Sequence, residues 1–178
     1  VNPLHLVAAL ATGAAAVADL RTGKMPNRIT LGALLVGVVG SAALPAWEGS
    51  PGVSRAVLTS LGGALVASVV PYVLWRARAL GGGDVKLFVA LGALLGPLVG
   101  LEAQMMAFAF GALVIPFRLA WEGRLFATLA RSLGLVTNMF VRPERRRPVD
   151  AAAMTWFRLG PAIFAGTVLA LAARGAHP

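Results

Sequence analysis

Two aspartates carry the chemistry this chain could perform. Asp84 follows Gly81, Gly82 and Gly83 and opens an apolar run in the stretch ALGGGDVKLFVALGALLG. Asp19 closes the first apolar run, in AVADLRTGKMPNRIT. A carboxylate at bilayer depth costs roughly 2.5–3.5 kcal/mol on insertion scales, so acids found there generally serve a function. Two carboxylates held a few ångströms apart cannot both ionise easily; one keeps its proton, and an acid then stands beside a base. Such a pair can activate a water and protonate a leaving amide. The glycines before Asp84 allow positive φ and let another chain segment approach the backbone closely.

The remaining acids compete poorly. Glu48 and Glu102 fall in short turns between apolar runs, and Glu122, Glu144 and Asp150 lie in the long connection that follows the fifth run. Ordinary solvation accounts for all five. Each member of the pair also has a plain structural reading. Asp84 at a helix start can accept a backbone N–H at the positive end of the dipole, and Asp19 can pair with Arg21 or Lys24. The chain has no cysteine, which excludes disulfides, a thiol nucleophile and a Cys-rich zinc module. Its two histidines, His5 and His177, lie near the chain ends and make no metal site. No cofactor is expected.

The elements that must hold the pair are membrane helices. Of 178 residues, 58% are hydrophobic and only 13% charged, against about 45–50% and about 25% in soluble domains. This predicts an all-α, polytopic membrane protein built as a single transmembrane domain over residues 1–178. Apolar runs at 3–20, 29–47, 56–76, 85–101, 103–121 and 156–174 predict about six transmembrane helices. All are rich in Gly and Ala, which suits close helix packing. The first is not read as a cleaved signal, because its basic residues follow the apolar run instead of preceding it. Within the connection 122–153, Leu125, Leu129, Leu133, Val136 and Phe140 recur at helical spacing. They predict an interfacial amphipathic helix on the inner leaflet. The RPERRRP segment after it is expected to attract anionic lipid.

Charge sets the orientation. The net charge is +9, but the basic residues lie between apolar runs and not on one polar face, so lipid is the expected partner and nucleic acid is not. Every Lys and Arg except Arg55 and Arg174 falls on one side of the six-helix arrangement. That side is predicted to be cytoplasmic, with both termini extracytoplasmic. Asp19 and Asp84 share it. The apolar part of the fourth run, Leu87 to Leu101, covers about 22 Å at 1.5 Å per residue, short of the hydrocarbon thickness of about 30 Å. Asp84 and Lys86 are therefore expected just below the inner surface. The first run falls equally short unless it takes in Asp19.

GGGDVK fits the GxGD motif of membrane-embedded aspartic proteases, and LFVALGALLG resembles its continuation in type IV prepilin leader peptidases. DLRTGKMPNRIT is similar to that family's first site, an aspartate, a short basic stretch and an apolar-Pro-Asn, with Met25 before Pro26 and Asn27. RLGPAIFAGTVLAL more weakly resembles the family's closing helix of Pro-Tyr-Gly-Pro type. Phe157 and Arg158 stand where Pro-Tyr would, so no functional residue is carried over from it.

The resemblance implies a membrane aspartic endopeptidase in which Asp19 and Asp84 are catalytic and no metal or cofactor is needed. Its substrates would be prepilins or pseudopilins of type IV pilus and protein-secretion systems. They would be cut at the cytoplasmic face of the plasma membrane, just before their apolar helix. The chain resembles the short, peptidase-only form typical of tight-adherence (Flp-type) pilus systems and archaeal relatives, without the Cys-rich domain of longer members. Gly81, Gly83, Lys86, Pro26 and Asn27 are expected to support the site. Pro26 would sit in the first turn of the second helix, Asn27 would cap that helix or orient Asp19, and Lys86 would reach toward lipid phosphate. Two other readings are an inactive pilus-assembly scaffold and a small transporter or channel subunit with an acidic proton or ion relay. A relay would spread ionisable groups through the membrane depth, whereas both acids stand at one face.

Overall fold

Local capping sets where the helices begin and end. The computed structural model describes residues 2–47, 52–123, 126–127, 129–130 and 158–175, and among them all regular structure is helical. Helix α1 spans Pro3–Thr22. Asn2 Oδ1 accepts the Leu4 N–H at 2.9 Å, and Pro3 fits the first turn, where its missing N–H costs nothing. The helix stops at Gly23, whose φ of 66° is left-handed and whose N–H bonds the Asp19 carbonyl at 2.8 Å. This cap leaves Asp19 in the final turn of α1. Helix α2 (Asn27–Trp47) follows a short turn and packs on both α1 and α3 (Val53–Arg76). The α3 end is closed by N–H bonds from Arg78 to Trp75 O and from Ala79 to Leu74 O. Arg78 takes φ 60° at the position where glycine is usual in such a cap.

Helix α4 (Gly82–Trp121) is two arms joined at Gly96, which has φ 76° and ψ 176°. The arms fold back on each other. Phe88 and Phe108 have ring centroids 5.3 Å apart, where a straight helix would separate them by about 30 Å. A Cβ on Gly100 would lie 3.0 Å from Gly92 Cα. The sequence reading put this reversal near residue 102; the chain turns earlier, and Glu102 stands within the second arm. The cause is Gly96-Pro97: proline drives the preceding residue to extended ψ, and glycine supplies the positive φ. The last helix, α5 (Gly160–Gly175), packs against α1. It begins later than the run at 156–174 suggested, so Arg158 and Leu159 precede it.

The packing places small residues inside and large apolar residues outside. The buried positions are Ala8, Thr12, Ala15, Ala16 and Asp19 on α1, Thr30, Ala33, Gly37 and Ser41 on α2, and Ser60, Gly63, Ala67 and Pro71 on α3. The exposed faces carry Leu6, Leu10, Leu31, Leu35, Leu58, Leu65 and Val69. Water would penalise so continuous an apolar surface, whereas hydrocarbon does not. Helices α1, α2, α3 and α4 are each long and apolar enough to cross a membrane; α5, with 16 residues, is apolar but shorter.

The first arm of α4 is the central element, with Leu87, Phe88, Ala90, Leu91 and Ala93 almost wholly buried. It meets α3 backbone to backbone: a Cβ on Gly63 would stand 2.1 Å from Gly92 O. Ser60 Oγ donates to Ala93 O at 2.8 Å beside it. A Cβ on Gly37 of α2 would lie 3.0 Å from Ala93 and from Leu94 N. The second arm meets α5, where a Cβ on Gly166 would be 2.4 Å from Ala107 N. Arg174 at the end of α5 forms a two-pronged ion pair with Glu102, at 2.7 and 2.9 Å.

The chain divides into two compact units, Val1–Phe110 with Arg158–Pro178, and Gly111–Phe157. The second unit's described part holds the last turns of α4, a closing turn at Gly123 (φ 68°) and helical residues at 126–127 and 129–130. Most of the amphipathic helix expected over 122–153, and all of RPERRRP, lie outside the described residues.

Adjacent glycines test the packing. Gly63→Ala should destabilise the protein by about 1–3 kcal/mol, because the methyl strikes backbone that cannot rotate away. Gly62→Ala, with open space around it, should be neutral or slightly stabilising in its helix. Thermal unfolding in detergent reads the difference; equal midpoints would refute the close α3–α4 contact.

Candidate active site

Asp19 is the last residue of the buried α1 stripe and is only 6% exposed. A buried carboxylate needs hydrogen-bond donors. Its Oδ2 accepts the Gly160 N–H, at the start of α5, at 3.0 Å. Among the described residues Arg21 and Lys24 form no ion pair with it; both are exposed. Glycine at 160 is a steric requirement: a Cβ there would lie 2.9 Å from Asp19 Cβ and 3.1 Å from Ala16 Cα. Just before it, an Arg158 guanidinium nitrogen donates to the Leu20 carbonyl.

Asp84 is half-buried in the first turn of α4. Its Oδ2 accepts the Gly81 N–H at 3.2 Å, so it does cap its own helix, in the manner of a capping-box acid. That role leaves Asp84 in the first turn of α4, as Asp19 stands in the last turn of α1. The two acids that the sequence singled out thus stand on different helices, whose ends the Met25 turn holds together.

Two further contacts join the same motifs. A Cβ on Gly83 would stand 2.8 Å from Met25 Cβ, so the absence of a side chain at 83 is what lets the turn after α1 lie against the start of α4. Lys86 Nζ donates to Asn27 Oδ1 at 2.9 Å, and both residues are exposed. Lys86 therefore reaches a protein group, where lipid phosphate had been expected, and Asn27 receives it as the first residue of α2. Pro26 precedes that helix instead of standing in its first turn; its carbonyl accepts the N–H groups of Ile29 and Thr30 at 3.0 and 3.4 Å. Gly81 acts through its N–H on Asp84. Sequence reasoning missed Gly160. The available signal was Leu-Gly-Pro at the start of an apolar run, where proline marks a first helical turn and glycine a close approach.

The arrangement brings two carboxylates, each steadied by one backbone N–H, to one end of an apolar bundle. Comparison with known proteins gives the family. The chain is similar to the prepilin peptidase EppA of Methanothermobacter thermautotrophicus, at 27% identity over 135 residues that cover 76% of this chain. It spans only about a third of that relative, 33% of its length. No solved structure matches. The model of the type IV leader peptidase family matches residues 6–116, a span that contains both aspartates and the Gly83–Met25 and Lys86–Asn27 contacts between their two motifs. The chain belongs to the type IV leader peptidase family.

Proposed function

We propose that this protein is a membrane-embedded aspartic endopeptidase that removes the short basic leader of prepilin-like proteins, with Asp19 and Asp84 as its catalytic pair. The observation that carries the reading is the close contact of Met25, in the turn after α1, with Gly83, which sets the helix end that carries Asp19 beside the helix start that carries Asp84, in a chain of this family. The relative's name, prepilin peptidase, supports the substrate class. In the reaction the ionised carboxylate takes a proton from water as its oxygen attacks the scissile carbonyl carbon. The protonated partner donates to the carbonyl oxygen. As the tetrahedral intermediate collapses and the C–N bond breaks, the amide nitrogen leaves with a proton returned by the pair.

The fold-back at Gly96 supports six crossings: α1, α2, α3, the two arms of α4, and α5. With six crossings the charge bias supports both termini outside and the pair at the cytoplasmic face. From Gly82 to the turn, the first arm is about 21 Å long at 1.5 Å per residue. So short an arm supports a place for Asp84 at the inner interface of the membrane, where a leader would meet the apolar helix behind it.

Asp19→Asn and Asp84→Asn should each lower cleavage of a co-expressed prepilin by about a thousandfold or more, with normal membrane insertion. Asp150→Asn should process normally. Substantial processing by either of the first two variants would end the proposal of a dyad. A shared proton also makes activity bell-shaped in pH, with both limbs belonging to the pair. Single-turnover cleavage from about pH 4 to 9 tests this, and EDTA should leave the rate unchanged. Loss restored by a divalent metal would reassign the carboxylates as ligands.

Gly83→Ala should reduce activity by pushing the Met25 turn off the start of α4. Met25→Gly removes the Cβ that the new methyl strikes, so the double variant should recover much of the loss. Simple additivity of the two losses would show that the contact does not assemble the site.

A further inference from the structure

We propose that Gly160 is a positioning residue for Asp19: the first N–H of α5 sets the direction of that carboxylate. The inference rests on the reading of Asp19 as catalytic. Leu159 O accepts the Ile163 N–H at 3.0 Å, which makes Gly160 the first residue of its helix. An N–H at that position has no acceptor within the helix. Pro161 next to it has no N–H at all, and the Gly160 N–H is the one that meets a side chain of α1 among the described residues. Asp19 Oδ2 receives it at 3.0 Å, and the positive end of the α5 dipole lies at the same point.

The geometry leaves little latitude. A side chain at 160 would meet Asp19 Cβ at 2.9 Å, Asp19 Oδ2 at 3.0 Å and Ala16 Cα at 3.1 Å. Ala16 Cα is backbone and cannot swing aside. Any residue other than glycine must therefore either turn Asp19 or lift the start of α5 from α1. Arg158, two residues earlier, ties the same segment to the Leu20 carbonyl. The rest of α5 is held elsewhere, by Gly166 against Ala103 and Ala107 and by the Arg174–Glu102 ion pair. The bond from Gly160 is thus separable from the docking of its helix, and its effect falls on Asp19.

The test uses the purified protein in detergent. The probe is a synthetic peptide with a Lys/Arg-rich leader, a glycine and an apolar helix. Gly160→Ala keeps the N–H but adds the clash, and Gly160→Pro adds the clash and also removes the N–H, at a position where a helix tolerates proline. Gly13→Ala is the control. It lies on the same α1–α5 interface but meets only the movable Phe164 ring, at 3.3 Å. Misdirection of a catalytic group predicts a loss of about 10–100-fold in kcat for both Gly160 variants. KM should stay within about twofold, since the substrate's ground-state contacts are intact. Gly13→Ala should keep its kcat, and all three should melt at similar temperatures.

Unchanged kcat at 160, an equal loss in Gly13→Ala, a loss carried by KM, or a collapse in melting temperature would each overturn the proposal. The last would assign Gly160 to packing alone. Asp19→Asn separates the two claims. If it is inactive while both Gly160 variants are fully active, only the positioning role fails; if it still cleaves the peptide, the catalytic reading fails as well.

Discussion

A carboxylate shut into an apolar helix bundle must be given hydrogen-bond donors, and that need governs the architecture around Asp19. Burial of an unpartnered carboxylate costs several kcal/mol, enough to cancel the stability of a small protein. In water the donors would be solvent. Here one comes from the backbone of a helix some 140 residues further along the chain. For that helix to arrive with Asp19 in its bonded position, α1 must present Ala16 and α5 must present Gly160, since anything larger would turn the carboxylate or hold the backbones apart. The polar requirement of one side chain thus dictates apolar detail on two helices. It also makes the site a tertiary feature, absent from any single segment.

The same economy of side chains recurs at the first arm of α4. Gly63, Gly92 and Gly37 allow backbones to touch where leucines would otherwise keep helices about 8–10 Å apart. Without a hydrophobic driving force between helices in lipid, such close contact is the main source of association. The arm that carries Asp84 is therefore tightly gripped on several sides. Asp84 sits at its end, where the helix starts and backbone N–H groups are unpaired. Rigidity in the buried part and polarity at its tip are both properties of one short helix. The turn at Gly96 fixes its length.

Much of this was legible in the sequence, and the gaps have physical causes. Asp19 and Asp84 stood out because charge is scarce here and hydropathy marks the ends of helices. The starts of α1 and α2 and the end of α3 lie close to those that the apolar runs suggested. The reversal within α4 was misplaced because residues 96 to 101 are apolar without interruption, and Glu102 looked like the polar punctuation of a turn. The backbone signal, Gly96 before Pro97, was the better guide. Gly81 and Gly83 were recognised as places of close approach, but a glycine does not name its neighbour. Asn27 and Lys86 likewise could not reveal that they bond each other. Gly160 was overlooked for the deepest reason: its contribution is a backbone N–H, which every residue but proline has, so no side chain advertises it.

The contact between Gly63 and Gly92 has a genetic consequence. Every single-base change that turns a glycine codon into another amino-acid codon installs a Cβ. At Gly63, Gly92 and Gly166 that atom would fall within 2.4 Å of a neighbouring backbone atom, so no one-step amino-acid replacement leaves the contact undisturbed. Gly32 and Gly62 meet nothing within 4 Å and are free to drift. Among descendants of this gene, variation should therefore be written on the lipid-facing glycines. The interior ones can change only in company, when a compensating loss of bulk arises across the same helix pair.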